Sequence, residues 1–417
     1  MNLYDSGLIE AMLREAGGES VQSVVDADTI LVNTCSVRAH AEQRALGRIT
    51  SLGKLKCRNP DLKIGVVGCM AKRLGMRVIE VAPVVDFVVG PDNYRRLPDL
   101  IKNGRQVVLN EENGQEKYSE CWSVHRRAPC AFIAIMRGCN NFCSYCVVPY
   151  LRGNERSRDH EDIKKEAEWL VRRGVKEVTL LGQNVSSYND GRFDFPTLLK
   201  ELCTIPGIGR IRFTTSHPKD VTSALLNTIS SHSKLCNWLH LPVQSGSSRV
   251  LSRMNRGYSR EEYLDLVTRA RKSIPELSIT TDIMVGFPGE CEEDFSQTVD
   301  LVEKVRFDFA YMFMYSKREG TRAAEYQDIP MQVRKRRLRH IIDLQNRITK
   351  EQNGLLVGKV VEILIEGRCK RGNYDGYGKT KKNETVLFKG VSNIGDVVRV
   401  KVLGLSGWTP WGEIVND

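Results

Sequence analysis

The segment Met136-Arg137-Gly138-Cys139-Asn140-Asn141-Phe142-Cys143-Ser144-Tyr145-Cys146 places three thiols at C-x3-C-x2-C spacing on one short loop. Thiols so arranged converge on a single soft metal centre. Structural zinc is usually held by two C-x2-C pairs, which this loop does not supply. A ferredoxin-type carrier surrounds its cluster with four cysteines, and no fourth follows at that spacing. Three thiolates on a four-iron cluster leave one iron open to another ligand. Cys139, Cys143 and Cys146 are therefore the leading candidates for chemistry. Two further thiols, Cys35 and Cys69, each directly follow a strand-like run, Thr29–Asn33 and Lys63–Gly68. In open parallel sheets ligands gather beyond the carboxyl ends of strands, so metal ligation by this pair stands beside simple core packing as a reading.

The elements that must hold these residues follow from periodicity. A helix is expected over 3–16, then strands at 29–33, 63–68 and 85–89 alternating with helices, which gives an open α/β sheet domain over 1–103. Residues 104–129 show little periodicity and are taken as a linker. A strand over 131–137 leads into the three-cysteine loop. Further strands are expected at 177–182, 210–214, 238–243, 278–284 and 309–315, with helices between them. Six strand–helix units over 130–352 predict a partial α/β barrel, whose chemistry sits on the loops after the strands. Gln183 and Asn184 end the second barrel strand, and Gln244 and Ser245 end the fourth, so these four are candidate cofactor or substrate contacts. Arg152, Arg156 and Arg158 follow the cysteine loop, and their guanidinium forks suit a carboxylate or phosphate. His217, His240 and Asp282 are read chiefly as structural. A basic helix spans 331–352, and its arginines are read as solvent-facing. From 355 to 417 apolar and charged residues alternate between glycine turns, as in a small all-β domain. Its Lys370, Arg371, Tyr374, Tyr377, Lys379, Lys381 and Lys382 mix cations with rings, a combination suited to RNA.

Composition agrees with this division. At 417 residues the chain exceeds one ordinary core, and its 12 cysteines without a secretory signal point to metal ligation rather than disulfides. No apolar run approaches the roughly 18 residues of a membrane span. A cytoplasmic monomer without membrane attachment is expected, and the net charge of +11 points to a polyanionic partner.

The motifs Asn33-Thr34-Cys35-Ser36-Val37-Arg38, Gly68-Cys69-Met70-Ala71, Arg137-Gly138-Cys139-Asn140-Asn141-Phe142-Cys143, Leu180-Leu181-Gly182-Gln183-Asn184-Val185, Thr214-Thr215-Ser216-His217-Pro218-Lys219-Asp220 and His240-Leu241-Pro242-Val243-Gln244-Ser245-Gly246-Ser247 resemble one family over almost the whole chain. It is the methylthiotransferase family of radical S-adenosylmethionine (SAM) enzymes, in particular its MiaB-type tRNA branch. The resemblance implies a 4Fe–4S cluster on Cys139, Cys143 and Cys146 whose open iron takes SAM, and a second 4Fe–4S cluster on the first domain, at Cys35 and Cys69. It places Tyr145 near the SAM adenine and makes the tail a TRAM domain that grips RNA. The reaction it implies replaces the hydrogen on carbon 2 of N6-isopentenyladenosine, beside the anticodon, with a methylthio group. An aryl hydrogen yields to no side-chain acid or base, hence a radical cofactor. The partners implied are the tRNA anticodon stem-loop, an electron donor such as flavodoxin or ferredoxin, and a sulfur donor.

One departure stands out. The family places another cluster cysteine in a Gly-Cys-Gln-Met-Asn stretch after an initial strand, and Met1-Asn2-Leu3-Tyr4-Asp5-Ser6 matches it only from the methionine. The reading expects a start assigned too far downstream, with Cys57 a poor substitute ligand. As written, the chain is expected to cleave SAM and to fail in methylthio transfer. The rival readings are action on threonylcarbamoyl-adenosine in tRNA, action on a ribosomal protein aspartate, and a catalytically defective RNA-binding protein.

Overall fold

A computed structural model describes residues 1–36, 39–103, 107–111, 114–124, 129–370 and 372–415, so Val37, Arg38 and Arg371 lie outside the described residues. The chain divides into two compact units, one made of residues 1–125, 134–162 and 316–324, the other of 126–133, 163–315 and 325–417.

The first unit is built on a four-stranded parallel sheet, β1 (Thr29–Thr34), β2 (Lys63–Gly68), β3 (Phe87–Val89) and β4 (Val107–Leu109), in that spatial order. Its helices are α1 (Asn2–Glu15), α2 (Ala39–Gly53), α3 (Cys69–Leu74), α4 (Arg77–Val81) and α5 (Leu97–Asn103). Beyond Lys63, β2 is apolar and buried because both faces are covered, as in parallel sheets generally. Val66 and Val88 pack with Ile49, Met70 and Val78 in one core cluster. β4 falls within the stretch expected to be a linker. Three residues are too few for a periodic signal, and only its pairing with β3 reveals it. β1 is an edge strand, and a cavity of about 730 Å³ is lined by residues of α1 and β1, among them Ile9, Leu13 and Leu31.

The expected strand over 131–137 is two strands, β5 (Cys130–Ala134) and β6 (Met136–Arg137). β6 pairs antiparallel with β7 (Arg156–Ser157), and α6 (Val148–Arg152) lies between them. The three-cysteine loop is thus the head of a pinched loop in the first unit. The sequence places it in a barrel domain over 130–352; in the structure its flanks pair with the first unit, Arg137 and Arg152 both reaching Asp5 on α1, at 2.8 and 2.7 Å.

The second unit carries the parallel strands of the partial barrel. β5, β8 (Glu177–Leu181) and β9 (Arg210–Phe213) form one sheet; β10 (Trp238–His240), β11 (Ser278–Val285) and β12 (Phe309–Met314) form another. A parallel bridge, Ile211 to Leu235, links the first sheet to the segment entering β10. The helices α7 (His160–Arg172), α8 (Phe195–Thr204), α9 (Ser223–Ser231), α10 (Ser248–Arg253), α11 (Arg260–Ser273) and α12 (Glu292–Val305) alternate with these strands. α11 begins with a capping box, Ser259 and Glu262 each satisfying the other's backbone N–H. α13 (Met331–Gly354) is the basic helix, but not all of it faces water. Arg334 pairs with Asp328 and the Tyr315 carbonyl, and Arg337 with Glu290, all but buried.

The tail is a closed five-stranded barrel of β13 (Val360–Arg368), β14 (Gly376–Lys379), β15 (Thr385–Lys389), β17 (Thr409–Val415) and β16 (Val397–Ser406) in spatial order. Two arginines of β9 dock it. Arg210 donates to the Lys379 carbonyl at 2.7 Å, and Arg212 to those of Thr380 and Lys381 while also pairing with buried Glu177. No helix among the described residues is long and apolar enough to cross a membrane.

Candidate cluster and cofactor sites

The three-cysteine loop is held by its backbone. Gly138 has φ +80°, and a Cβ there would meet the Asn154 carbonyl oxygen at 1.9 Å, so only glycine lets the two chains close. The Cys139 N–H donates to the Gly153 carbonyl at 3.1 Å, and Asn140 and Glu155 exchange side-chain to backbone hydrogen bonds. The Ala323 N–H donates to the Ser144 carbonyl at 2.7 Å, tying the loop to residues 316–324. Cys139 and Cys143 are buried, Cys146 and Tyr145 partly so. Asn141 Nδ2 donates to Cys139 Sγ at 3.4 Å. Burial pushes the Cys139 thiol up, a cost that metal ligation of the thiolate removes.

The second pair of thiols lies in the same unit. Thr34 pairs with Gly68, so Cys35 and Cys69 are the next residues at the ends of adjacent strands. Cys69 is the first residue of α3, directly after β2. Arg152 Nε donates to Cys69 Sγ at 3.3 Å. Burial raises the Cys69 thiol, with Arg152 pulling the other way. Ser36 and Arg73 bond Glu42, which also takes Arg318 Nη1 at 3.1 Å. Among the described residues Arg137 Nη1, Arg152 Nη1 and two nitrogens of Arg318 are buried without an acceptor. Two thiols flanked by a cationic group with an unspent N–H fit an anionic, sulfur-rich centre. They supply half the protein ligands of a ferredoxin cluster. Cys57 is exposed, on a 3-10 turn.

Of the arginines after the loop, Arg156 and Arg158 are forked onto carboxylates of the chain, while Arg152 keeps an Nη1 unpaired among the described residues. Arg158 is buried, forked onto Asp162 at 3.0 and 2.7 Å, and donates to the Ala134 carbonyl and the Tyr4 hydroxyl. Its expected cofactor role is replaced by a scaffold role. Arg156 is forked onto Asp92 at 3.1 and 3.0 Å. Sequence pattern marks charge but not burial, which is why these residues read as ligand-facing.

In the second unit the strand-end residues separate into two kinds. Asn184 is spent: its Nδ2 donates to Asp220 at 2.6 Å and its Oδ1 accepts the His217 N–H at 3.0 Å. Ser245 is fully buried and lies 3.4 Å from the Thr298 hydroxyl. Both hold loops. Gln183 and Gln244 each keep a buried Oε1 with no partner among the described residues, at the ends of β8 and β10. Gln244 has φ +71° and bridges to β11 through its own backbone, which fixes its direction. His217 is held neutral, its pKa lowered to about 2 by burial and then by Arg256 and Lys219. His240 bonds the Thr280 hydroxyl and faces Asp282 at 3.5 Å. What the sequence reading missed is Asp5. Its only local signal is a lone acid in the first turn of an amphipathic helix.

Fold and motif together define the class, a radical SAM enzyme with a C-terminal TRAM domain. Residues 133–302 match the Radical SAM superfamily, residues 354–414 the TRAM domain, and residues 1–90 the uncharacterized protein family UPF0004. The tRNA-2-methylthio-N(6)-dimethylallyladenosine synthase of Thermoanaerobacter pseudethanolicus is 46% identical, with 100% of this chain and 91% of that protein covered. The one from Carboxydothermus hydrogenoformans is also 46% identical, covering 96% and 94%. The radical SAM methyltransferase TsrM of Kitasatospora setae shares the fold, with a TM-score of 0.57 at 16% identity over 76% of this chain and 68% of that one. The chain belongs to the family of tRNA-2-methylthio-N(6)-dimethylallyladenosine synthases, radical SAM enzymes that work with 4Fe–4S clusters and SAM.

Proposed function

We propose that this chain carries out the family's reaction, replacing the carbon-2 hydrogen of N6-isopentenyladenosine in the tRNA anticodon stem-loop with a methylthio group. The observation that supports it most is the placing of two thiol sites in one compact unit, Cys139, Cys143 and Cys146 on the pinched loop and Cys35 and Cys69 at the strand ends. When bound, SAM and the two clusters supply the radical and the sulfur that side chains cannot. The residues do the rest. Cys139, Cys143 and Cys146 hold one centre, Asn141 caps Cys139 with an N–H, and burial keeps water from two of the thiols. Cys35 and Cys69 hold the other. By the family resemblance Tyr145 would face the adenine of bound SAM; in the second unit Gln183 and Gln244 each keep a buried Oε1, unpaired among the described residues, that could accept an N–H. Electrons come from a flavodoxin or ferredoxin and sulfur from a separate donor, in the cytoplasm where tRNA is modified. Incubating reduced, iron-loaded protein with SAM, a sulfur source and isopentenylated tRNA tests this: formation of the 2-methylthio nucleoside would show that Cys35 and Cys69 suffice, against the failure expected from the unmatched cysteine. Absence of that nucleoside beside intact SAM cleavage would restrict the chain to the radical half of the reaction.

The TRAM barrel supplies the grip on RNA. Two of the cations named from sequence have partners within the second unit: Lys381 Nζ donates to the Ser233 carbonyl, and Lys382 pairs with Glu276. Lys370 is exposed, and so is Lys389, which the sequence reading did not name; Lys389 lies 5.7 Å from the Trp411 ring, itself 5.8 Å from Tyr374. Removing the barrel would strand Arg210 and Arg212 without their carbonyl partners, so point changes are the cleaner test. Reversing both charges, Lys370→Glu with Lys389→Glu, is expected to weaken tRNA binding and lower the slope of log affinity against log salt by about 2. An unchanged slope in filter-binding titrations would remove these residues from the RNA face.

A further inference from the structure

Arg152 belongs by sequence to the three-cysteine loop and by contact to the other thiol site. It ends α6, six residues after Cys146, yet its Nε donates to Cys69 Sγ at 3.3 Å. Its Nη2 donates to Asp5 at 2.7 Å, and Asp5 is fully buried and shared with Arg137. The Arg152 carbonyl accepts from Arg156, whose guanidinium is in turn forked onto Asp92, so both ends of the residue are fixed. Two guanidinium groups against one carboxylate leave these three side chains with one net positive charge. Nη1 of Arg152 has no acceptor among the described residues.

A donor with that charge, held in place against a thiol, is more than a space filler. A hydrogen bond from a cation to a ligating sulfur stabilises negative charge there, and the reduced form of a cluster carries one negative charge more than the oxidised form. We propose that Arg152 is a positioning residue for the centre on Cys35 and Cys69: its Nε–H raises that centre's reduction potential, and its α6 attachment couples the centre mechanically to the three-cysteine loop. The proposal rests on the reading that Cys35 and Cys69 hold a cluster.

The experiment isolates that centre. In a Cys139→Ala, Cys143→Ala, Cys146→Ala background, anaerobically reconstituted with iron and sulfide, the remaining cluster is titrated electrochemically and followed by electron paramagnetic resonance. Arg152→Gln removes the charge and the directed donor; Arg152→Lys keeps the charge alone. The expected result is a potential lowered in Arg152→Gln by at least tenfold in the reduction equilibrium, about 59 mV for one electron, with Arg152→Lys between the two. Loss of iron in Arg152→Gln with an unchanged melting temperature would also support the assignment, since a positioning residue is then needed to retain the centre. Equal potentials in the background and in Arg152→Gln would overturn it. So would loss of the folded state in both variants, which would make Arg152 a scaffold residue only. If the background with Arg152 intact binds no cluster, the underlying reading of Cys35 and Cys69 fails instead, and the proposal falls with it.

Discussion

Replacing Cys139, Cys143 and Cys146 together by alanine is expected to abolish formation of 5′-deoxyadenosine from SAM, leaving it at the uncatalysed background. The argument is one of ligand count. Three thiols on a single loop ligate three irons of a four-iron cluster and leave one for SAM, and here they share a backbone frame set by Gly138 and Asn154. Removing all three leaves no thiolate on the loop, while alanine keeps two buried sites and one partly buried site apolar. The frame itself predicts a second effect. Gly138→Ala drives a Cβ into the Asn154 carbonyl, so it is expected to lose iron although every thiol remains. Persistent 5′-deoxyadenosine in the triple variant, measured by chromatography after anaerobic reduction, would sink the assignment.

The second large effect is on stability, at Asp5. Burial alone would raise its carboxyl pKa, but Arg152 and then Arg137 outweigh that and hold it below the usual carboxylate range. Asp5→Asn leaves two buried guanidinium groups without a counter-charge, a change that typically costs about 3–5 kcal/mol. The pH dependence has a definite sign. A carboxyl whose folded pKa is depressed stabilises the fold above its unfolded value and loses that contribution as pH falls through the folded value. The gap between wild type and Asp5→Asn is therefore expected to be full at neutral pH and to narrow below roughly pH 4. Urea unfolding followed by hydrogen exchange in segments 2–15 and 136–157 reads it directly. A gap under about 1 kcal/mol at neutral pH would place the triad among the pairs that contribute little.

Much of this architecture was legible in the residues. Thr29–Thr34 and Lys63–Gly68 are β-branched runs between polar flanks, and the thiols after them mark the strand ends. The three-cysteine loop announced its chemistry by spacing, and the tail its barrel by alternation. What was not legible is whatever depends on distant partners. β4 is a three-residue strand visible only through β3. Arg152, Arg156 and Arg158 look alike as charges, and only the acids they meet, Asp5, Asp92 and Asp162, separate them from ligand-facing arginines. Likewise Gln183 and Asn184 are neighbours at one strand end, and only the reach of Asp220 and His217 to Asn184 decides which is spent. The pairing of the cysteine loop's flanks with the first unit is made by the same kind of long-range ion pair.

Nucleoside mass spectrometry of tRNA, from cells with and without the gene, tests the central claim most directly. The account predicts 2-methylthio-N6-isopentenyladenosine in the first and unmodified N6-isopentenyladenosine accumulating in the second. Identical nucleoside profiles, or a methylthio group missing instead from threonylcarbamoyl-adenosine, would contradict it.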